Sequence, residues 1–308
     1  MQVLFLVTLL YVGVTFGIDQ HYHLSFPDYP NPEILDDYDV YPMSTTDPDL
    51  PAQTSYSQVR TEIKSTGESI IVHKLTVPNP INSLFIKPPI GGCGNRSTVV
   101  ESSTQYGCTS AVNLGFFNML NGDCRGWLVS NNKFYNRTSL PNSVFGITRS
   151  NQYISGYISD ATRNEMVASG ELLHGLQGRL WLVRQGRSFV SKSRPKEHIS
   201  QRFVDLIAPR LAVCYDHSGV FHVVQVDGYE PTLYGIGLTQ FSDLLVDMGM
   251  LNCMNMDGGG SVTVLFNEQI KNSCSDPCPD QDQRNRVCSV PFGSSKCLRK
   301  VSSMLCLK

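Results

Sequence analysis

The chain has 308 residues, 17% of them charged and 41% hydrophobic, with a formal net charge of −2. That composition is globular, enough for one large domain with an appendage or for two ordinary domains. There is no basic run, so nothing electrostatic points to nucleic acid or an anionic membrane surface as a partner.

Met1 to Gly17 holds no charged side chain, and Val3 to Phe16 is apolar with a few small residues. The stretch is shorter than the ~20 residues a spanning helix needs. Thr15 and Gly17 fit a peptidase site before Ile18, so residues 1–17 are expected to be a signal peptide. No later segment is long and apolar enough to span a bilayer, and no transmembrane anchor is expected. Residues 18–68 open with Tyr29-Pro30-Asn31-Pro32 and Asp36-Asp37-Tyr38-Asp39 and show neither helical nor strand period. They read as a pro-segment or linker.

From Ser69 the pattern changes, and 69–270 reads as one domain. Ile70 to Val77 and Leu84-Phe85-Ile86 are β-rich. Thr98-Val99-Val100-Glu101 has capping-box spacing, and Gly107 can stop the helix that follows. Ala111 to Phe117 reads as a buried strand. Phe145 to Ile158 and Leu180 to Val190 read as hairpins turning near Ser150-Asn151 and Gln185-Gly186. Leu211 to Tyr215 and Val220 to Val226 form another pair, followed by a helix with Thr239 as its N-cap and Gly249 at its end. Val262 to Phe266 is the last strong strand. Residues 271–308 form a Cys-rich tail without periodicity. The fold class is mixed α/β (α+β): β-rich, with a few helices.

The 10 Cys run from Cys93 to Cys306, an even number concentrated toward the C-terminal side. With a leader before them they read as disulfides. Zinc needs paired ligands, and Cys274-Ser-Asp-Pro-Cys278 has no matching pair at finger spacing, so no metal is expected. Asn95-Arg-Ser97 and Asn136-Arg-Thr138 are glycosylation sequons on expected surface loops.

The sharpest local signal is Asp257-Gly258-Gly259-Gly260-Ser261, between a helix and a strand. Three glycines are tolerated where the backbone turns sharply or something approaches closely. The Asp can present a carboxylate and the bare amides can bind an anion; a tight turn with a self-capping Asp is the alternative. Asp227-Gly228 ends a strand in the same manner, as a turn or as a second carboxylate. Asn113-Leu114-Gly115-Phe116-Phe117-Asn118 places amides and aromatics at a strand end. Arg210 stands alone before a strong strand, where a surface charge is the ordinary reading.

Taken in order, these elements resemble the phosphodiester glycosidase family of uncovering enzymes, the N-acetylglucosamine-1-phosphodiester α-N-acetylglucosaminidases. The resemblance runs from about Phe85 to Cys297. It includes Gly91-Gly92-Cys93, Asn121-Gly122-Asp123-Cys124, Phe145-Gly146-Ile147, Ser155-Gly156-Tyr157 and Trp181-Leu182-Val183-Arg184. The chain departs from the family pattern at Leu114 and Phe116 (Gly and Tyr), at Pro209-Arg210-Leu211 (Ala-Arg-Thr) and at Gln225 (His). The family's membrane anchor and a complete epidermal-growth-factor-like module are not expected in this chain.

The resemblance implies a glycosidase that removes α-N-acetylglucosamine from a 1-phosphodiester, exposing mannose 6-phosphate on phosphorylated high-mannose glycoproteins, the lysosomal hydrolases. It would act without a cofactor, in the Golgi lumen or as a secreted protein. Asp257 and Asp227 would be the carboxylates and Arg210 the phosphate contact. Asn113, Gly115, Asn118, Gly258, Gly259, Gly260 and Ser261 would line the substrate site. Implied disulfides are Cys93 with Cys124, Cys108 with Cys288 and Cys274 with Cys278; the pairing of Cys214, Cys253, Cys297 and Cys306 stays open, with Cys297 to Cys306 and Cys214 to Cys253 as one choice. A homo-oligomer is left open. The rival is a non-catalytic glycan- or phosphosugar-binding protein on the same fold.

Overall fold

The computed structural model describes residues 35–44, 53–278 and 296–308. The expected signal peptide, residues 18–34 and 45–52, and Cys288 lie outside the described residues. Three antiparallel sheets build the domain.

The seven-stranded sheet is the centre. Its order is Arg187–Ser188, Trp181–Arg184, Met250–Met256, Arg210–Asp216, Phe221–Val226, Ser69–Val77 and Ser55–Glu62. Its middle strands are apolar on both faces because both faces are covered. Leu211, Val213, Tyr215 and Val223 point into a core shared with the other two sheets. Ala212, Cys214, Val224 and Val226 point the other way, onto Phe203, Phe241 and Leu245 of the helices Gln201–Asp205 and Leu238–Asp247. Alternate residues of one strand thus serve two cores. Each large side chain so buried stabilises the fold by about 1.5–3 kcal/mol.

The six-stranded sheet runs Asp37–Pro42, Gln152–Tyr157, Val144–Thr148, Leu172–Gln177, Leu128–Ser130 and Lys133–Asn136. The five-stranded sheet runs Gln269–Ile270, Val264–Phe266, Ser110–Asn113, Met304–Leu307 and Leu84–Lys87.

Local signals match the elements where chemistry fixes them. Helix Val99–Tyr106 is closed by both halves of the capping box, Glu101 N–H to Thr98 Oγ1 and Thr98 N–H to Glu101 Oε2, and Gly107 ends it at φ 64°. Asn151, Gln185 and Gly186 take the positive φ that the two hairpin turns need. Elsewhere the structure differs. Helix Leu238–Asp247 starts after Gly237, so Thr239 lies inside it and caps nothing. The strand expected to reach Phe117 ends at Asn113. Within the presumed pro-segment or linker, Asp37–Pro42 and Ser55–Glu62 are full sheet strands. In the presumed tail, Met304–Leu307 sits inside a sheet, paired on both sides.

Disulfides join Cys93 to Cys124, Cys108 to Cys306, Cys214 to Cys253 and Cys278 to Cys297. The expected partners of Cys108 (Cys288), Cys278 (Cys274) and Cys297 (Cys306) are therefore corrected; Cys274 is itself disulfide-bonded. The reason is the sheet. Met304–Leu307 lies beside Ser110–Asn113, with Thr109 and Leu307 hydrogen-bonded, and this brings Cys306 to Cys108. The strand pair Asp276–Pro277 and Lys296–Cys297 does the same for Cys278 and Cys297. Among the described residues no helix is long and apolar enough to cross a membrane.

Candidate active site

Cross-strand register gathers the sequence signals at one end of the central sheet. Arg210 pairs with Val226, and Leu211 with Met256. Asp227-Gly228 and Asp257-Gly258 therefore leave the sheet side by side, flanking Pro209. Glycine is required at both positions, since a Cβ on Gly228 would sit 2.6 Å from Pro209 N and one on Gly258 2.6 Å from Pro209 O. The two Asp-Gly steps clasp the backbone that leads into Arg210.

The Asp257 loop is then pinned from behind. Asp257 N–H donates to Leu114 O at 2.9 Å, and Gly259 N–H to Pro209 O at 2.9 Å. Asn113 Nδ2 donates to Asp257 O at 2.7 Å, while Asn113 Oδ1 accepts from Thr263 N–H at 3.0 Å. Asn113 is completely buried. It braces both ends of the glycine loop, and does not have the exposure that a substrate contact requires. Gly115 packs its bare Cα against Ser303, whose Oγ accepts the Gly115 N–H. Asn118 Oδ1 accepts from Leu120 N–H in a local turn.

The front of the loop carries the charge. Asp257 is half-buried, and burial pushes its carboxyl up to about 6. A hydrogen bond with Ser261 and the positive charge of Arg299 hold it down, whereas Asp276 and Glu230 push it further up. Arg299 is the cation here. Its Nε and Nη2 donate to the two oxygens of Asp276 at 2.6 and 2.7 Å, and Nη1 reaches Ser261 Oγ at 3.4 Å. About a quarter of its side chain remains exposed. Gly260 lies directly under this pair and Gly259, at φ 57°, under the exposed Glu230. Three carboxylates thus surround one guanidinium over three bare glycines, Gly258 to Gly260.

Two sequence candidates stand behind this front. Arg210 is 4% exposed; its Nε donates to Ile236 O at 3.2 Å, and its Nη2 to the carbonyls of Phe203 and Leu206. Burial pushes its guanidinium down to about 10. Such a side chain ties two loops together and does not offer a free fork to phosphate. Asp227, 2% exposed, accepts from Gln225 Nε2 at 3.1 Å and from Ser273 N–H at 3.2 Å. Glu230, Asp276 and Arg299 had no signal in the sequence beyond their charge. Arg299 sits in an irregular segment, and Glu230 and Asp276 open elements of only three and two residues, where a charged residue ordinarily reads as solvated surface.

At the expected sequons, Asn95 is exposed. Asn136 Nδ2 donates to the carbonyls of Cys124 and Gly126 at 2.9 and 2.7 Å, so a glycan on that nitrogen would leave one proton for two acceptors. Among the described residues no cluster of His, Cys, Asp or Glu is arranged to hold a metal ion.

The family model described as Phosphodiester glycosidase matches residues 106–307. The bovine N-acetylglucosamine-1-phosphodiester alpha-N-acetylglucosaminidase is 31% identical over 262 residues, 81% of this chain and 47% of the bovine protein. The human protein of that name is 29% identical over 262 residues, 81% of this chain and 48% of the relative. The chain spans about half the length of these curated relatives. Among solved structures, the catalytic domain of the zebrafish protein of that name, auto-inhibited by its pro-peptide, superposes with a TM-score of 0.77 at 25% identity. That match covers 88% of this chain and 87% of the other.

Proposed function

Because the chain belongs to the phosphodiester glycosidase family, we propose that it hydrolyses the bond between α-N-acetylglucosamine and phosphate in a 1-phosphodiester. The observation that carries this reading is the half-buried Asp257 carboxylate held beside Arg299 over bare glycine backbone.

Cleavage of such a bond develops positive charge at the anomeric carbon, which an adjacent carboxylate stabilises. Asp257 is that carboxylate. The bond that breaks joins the anomeric carbon to the phosphate oxygen, and its electron pair leaves with the phosphate. Water supplies the new hydroxyl on the sugar. A phosphate monoester departs as a stable anion, so a strong general acid matters less than a cation to receive it. Arg299 has the paired donors and the exposure for that task, with the Ser261 hydroxyl beside it. Arg210 and Asn113 hold the loops in place, and Glu230 lies nearest the open side.

The finer reading is that the sugar removed is the N-acetylglucosamine that covers mannose 6-phosphate on lysosomal enzyme glycans, in the Golgi lumen or outside the cell. The names of the relatives support N-acetylglucosamine in a 1-phosphodiester as the group removed, and the disulfides suit an oxidising compartment. The test is release of N-acetylglucosamine from an N-acetylglucosamine-α-phospho-mannoside by the purified protein. Asp257→Asn is expected to reduce the rate by at least about a hundredfold. Binding of the ligand by wild type with no release would instead indicate a phosphosugar-binding protein.

A further inference from the structure

A chain of contacts, buried at His73 and Asp227, leads to Arg299 through residues that the proposed chemistry does not use. Tyr56 Oη and His73 Nδ1 are 2.8 Å apart. His73 Nε2 lies 3.2 Å from Asp227 Oδ2, close enough to pair with it although off the line of a hydrogen bond. The other oxygen of Asp227 accepts from Gln225 and from the Ser273 amide. Three residues beyond Ser273 is Asp276, which accepts from Nε and Nη2 of Arg299.

Burial determines what each link is for. His73 and Asp227 are each 2% exposed. A carboxylate removed that far from water costs several kcal/mol unless its oxygens are satisfied. Gln225 and Ser273 satisfy Oδ1; His73 is the polar neighbour of Oδ2. Without that ring Oδ2 loses its polar neighbour and the Asp227 side chain can turn, which weakens the acceptor that holds Ser273. The backbone of Ser69–Val77 is indifferent to this side chain, being hydrogen-bonded to a strand on each side.

We propose that His73 is a positioning residue for the phosphate subsite, acting through Asp227 and residues 273–276 on the aim of Arg299. The proposal rests on the assignment of Arg299 to the substrate phosphate made above.

The experiment compares wild type, His73→Leu, His73→Gln, Asp227→Asn and the His73→Leu/Asp227→Asn pair as the full secreted chain. Readouts are KM and kcat on the phosphodiester substrate and inhibition by inorganic phosphate. His73→Leu is expected to raise KM and the phosphate inhibition constant about tenfold, the size of one lost contact to a charged group. The kcat should barely change, because the loss lies in binding. His73→Gln, whose amide nitrogen reaches about as far as Nε2, should recover most of the affinity. The double variant should be no weaker than Asp227→Asn, since both act along one path. A folded His73→Leu with wild-type KM and phosphate inhibition overturns the proposal, and so do additive losses in the pair. Should His73→Leu not fold, His73→Gln must still bind phosphate more tightly than Asp227→Asn, and the reverse order sinks it. If wild type cleaves nothing, the functional reading fails on its own. Calorimetric phosphate affinity then decides about His73: about tenfold weaker in His73→Leu supports the role, and equal affinity refutes it.

Discussion

At the scale of single residues, the balance of charge around Asp257 makes a pH prediction. In the proposed reaction the carboxylate works in its ionised form, and its burial pushes it up to about 6. Activity, read as kcat/KM, should therefore fall as pH drops through about 6. Arg299 favours the ionised form and Asp276 opposes it. Arg299→Ala removes the cation and leaves Asp276 unpaired, so both changes push Asp257 further up. The acidic limb should move to higher pH as KM rises; a limb that stays in place or moves down would remove Arg299 from the site. Of these residues only Asp257 was legible in the sequence, because the three glycines after it mark backbone that must turn sharply or be approached closely. Arg299 was not, since an Arg in Cys297-Leu298-Arg299-Lys300 looks like any charged residue in a tail. The burial of Arg210 was not legible for a related reason: its donors are satisfied by backbone carbonyls from residues 203, 206 and 236, and no side-chain pattern announces them.

At the scale of elements, the glycine loop works by what it lacks. A Cβ on Gly260 would fall 1.7 Å from Asp276 Oδ1 and 2.2 Å from Arg299 Nη2. Gly260→Ala should therefore displace the Asp276–Arg299 pair while leaving the fold intact, because side-chain ends near the surface move more cheaply than backbone. Loss of substrate and phosphate affinity with an unchanged melting temperature is the expected result. Unchanged affinity would show that the pair has no part in binding. Elements with strong local chemistry were legible: the capping-box helix, the two hairpins with their positive-φ turns, and the doubly buried strands around Arg210 and Val226. Asp37–Pro42, Ser55–Glu62 and Met304–Leu307 were not. The first two are polar edge strands whose order comes from the neighbour they pair with, and the third is four residues long, too short for a period to show.

At the scale of the whole molecule, the bond between Cys108 and Cys306 closes a loop of 198 residues. In the chain-entropy account, a loop of that length restrains the unfolded state by roughly 5 kcal/mol. Replacing both cysteines with serine should lower the urea midpoint accordingly, and activity should fall with it because Arg299 and Ser303 lie in the strapped segment. A midpoint within experimental error of wild type would show that sheet pairing alone holds Met304–Leu307.

The position of that strand also bears on how the molecule is made. Ribosomes deliver a chain from its N-terminus, yet Leu84–Lys87 and Ser110–Asn113 leave between them a slot one strand wide, filled by residues 304–307. The two edges must wait for a segment synthesised about 190 residues later, roughly 10–40 s at ordinary elongation rates. Through that interval they are open to wrong partners, a natural point for a chaperone to hold the chain. Because residue 299 arrives only just ahead of the missing strand, the nascent protein lacks its cation throughout the wait. The proposed site therefore cannot assemble until the sheet is closed.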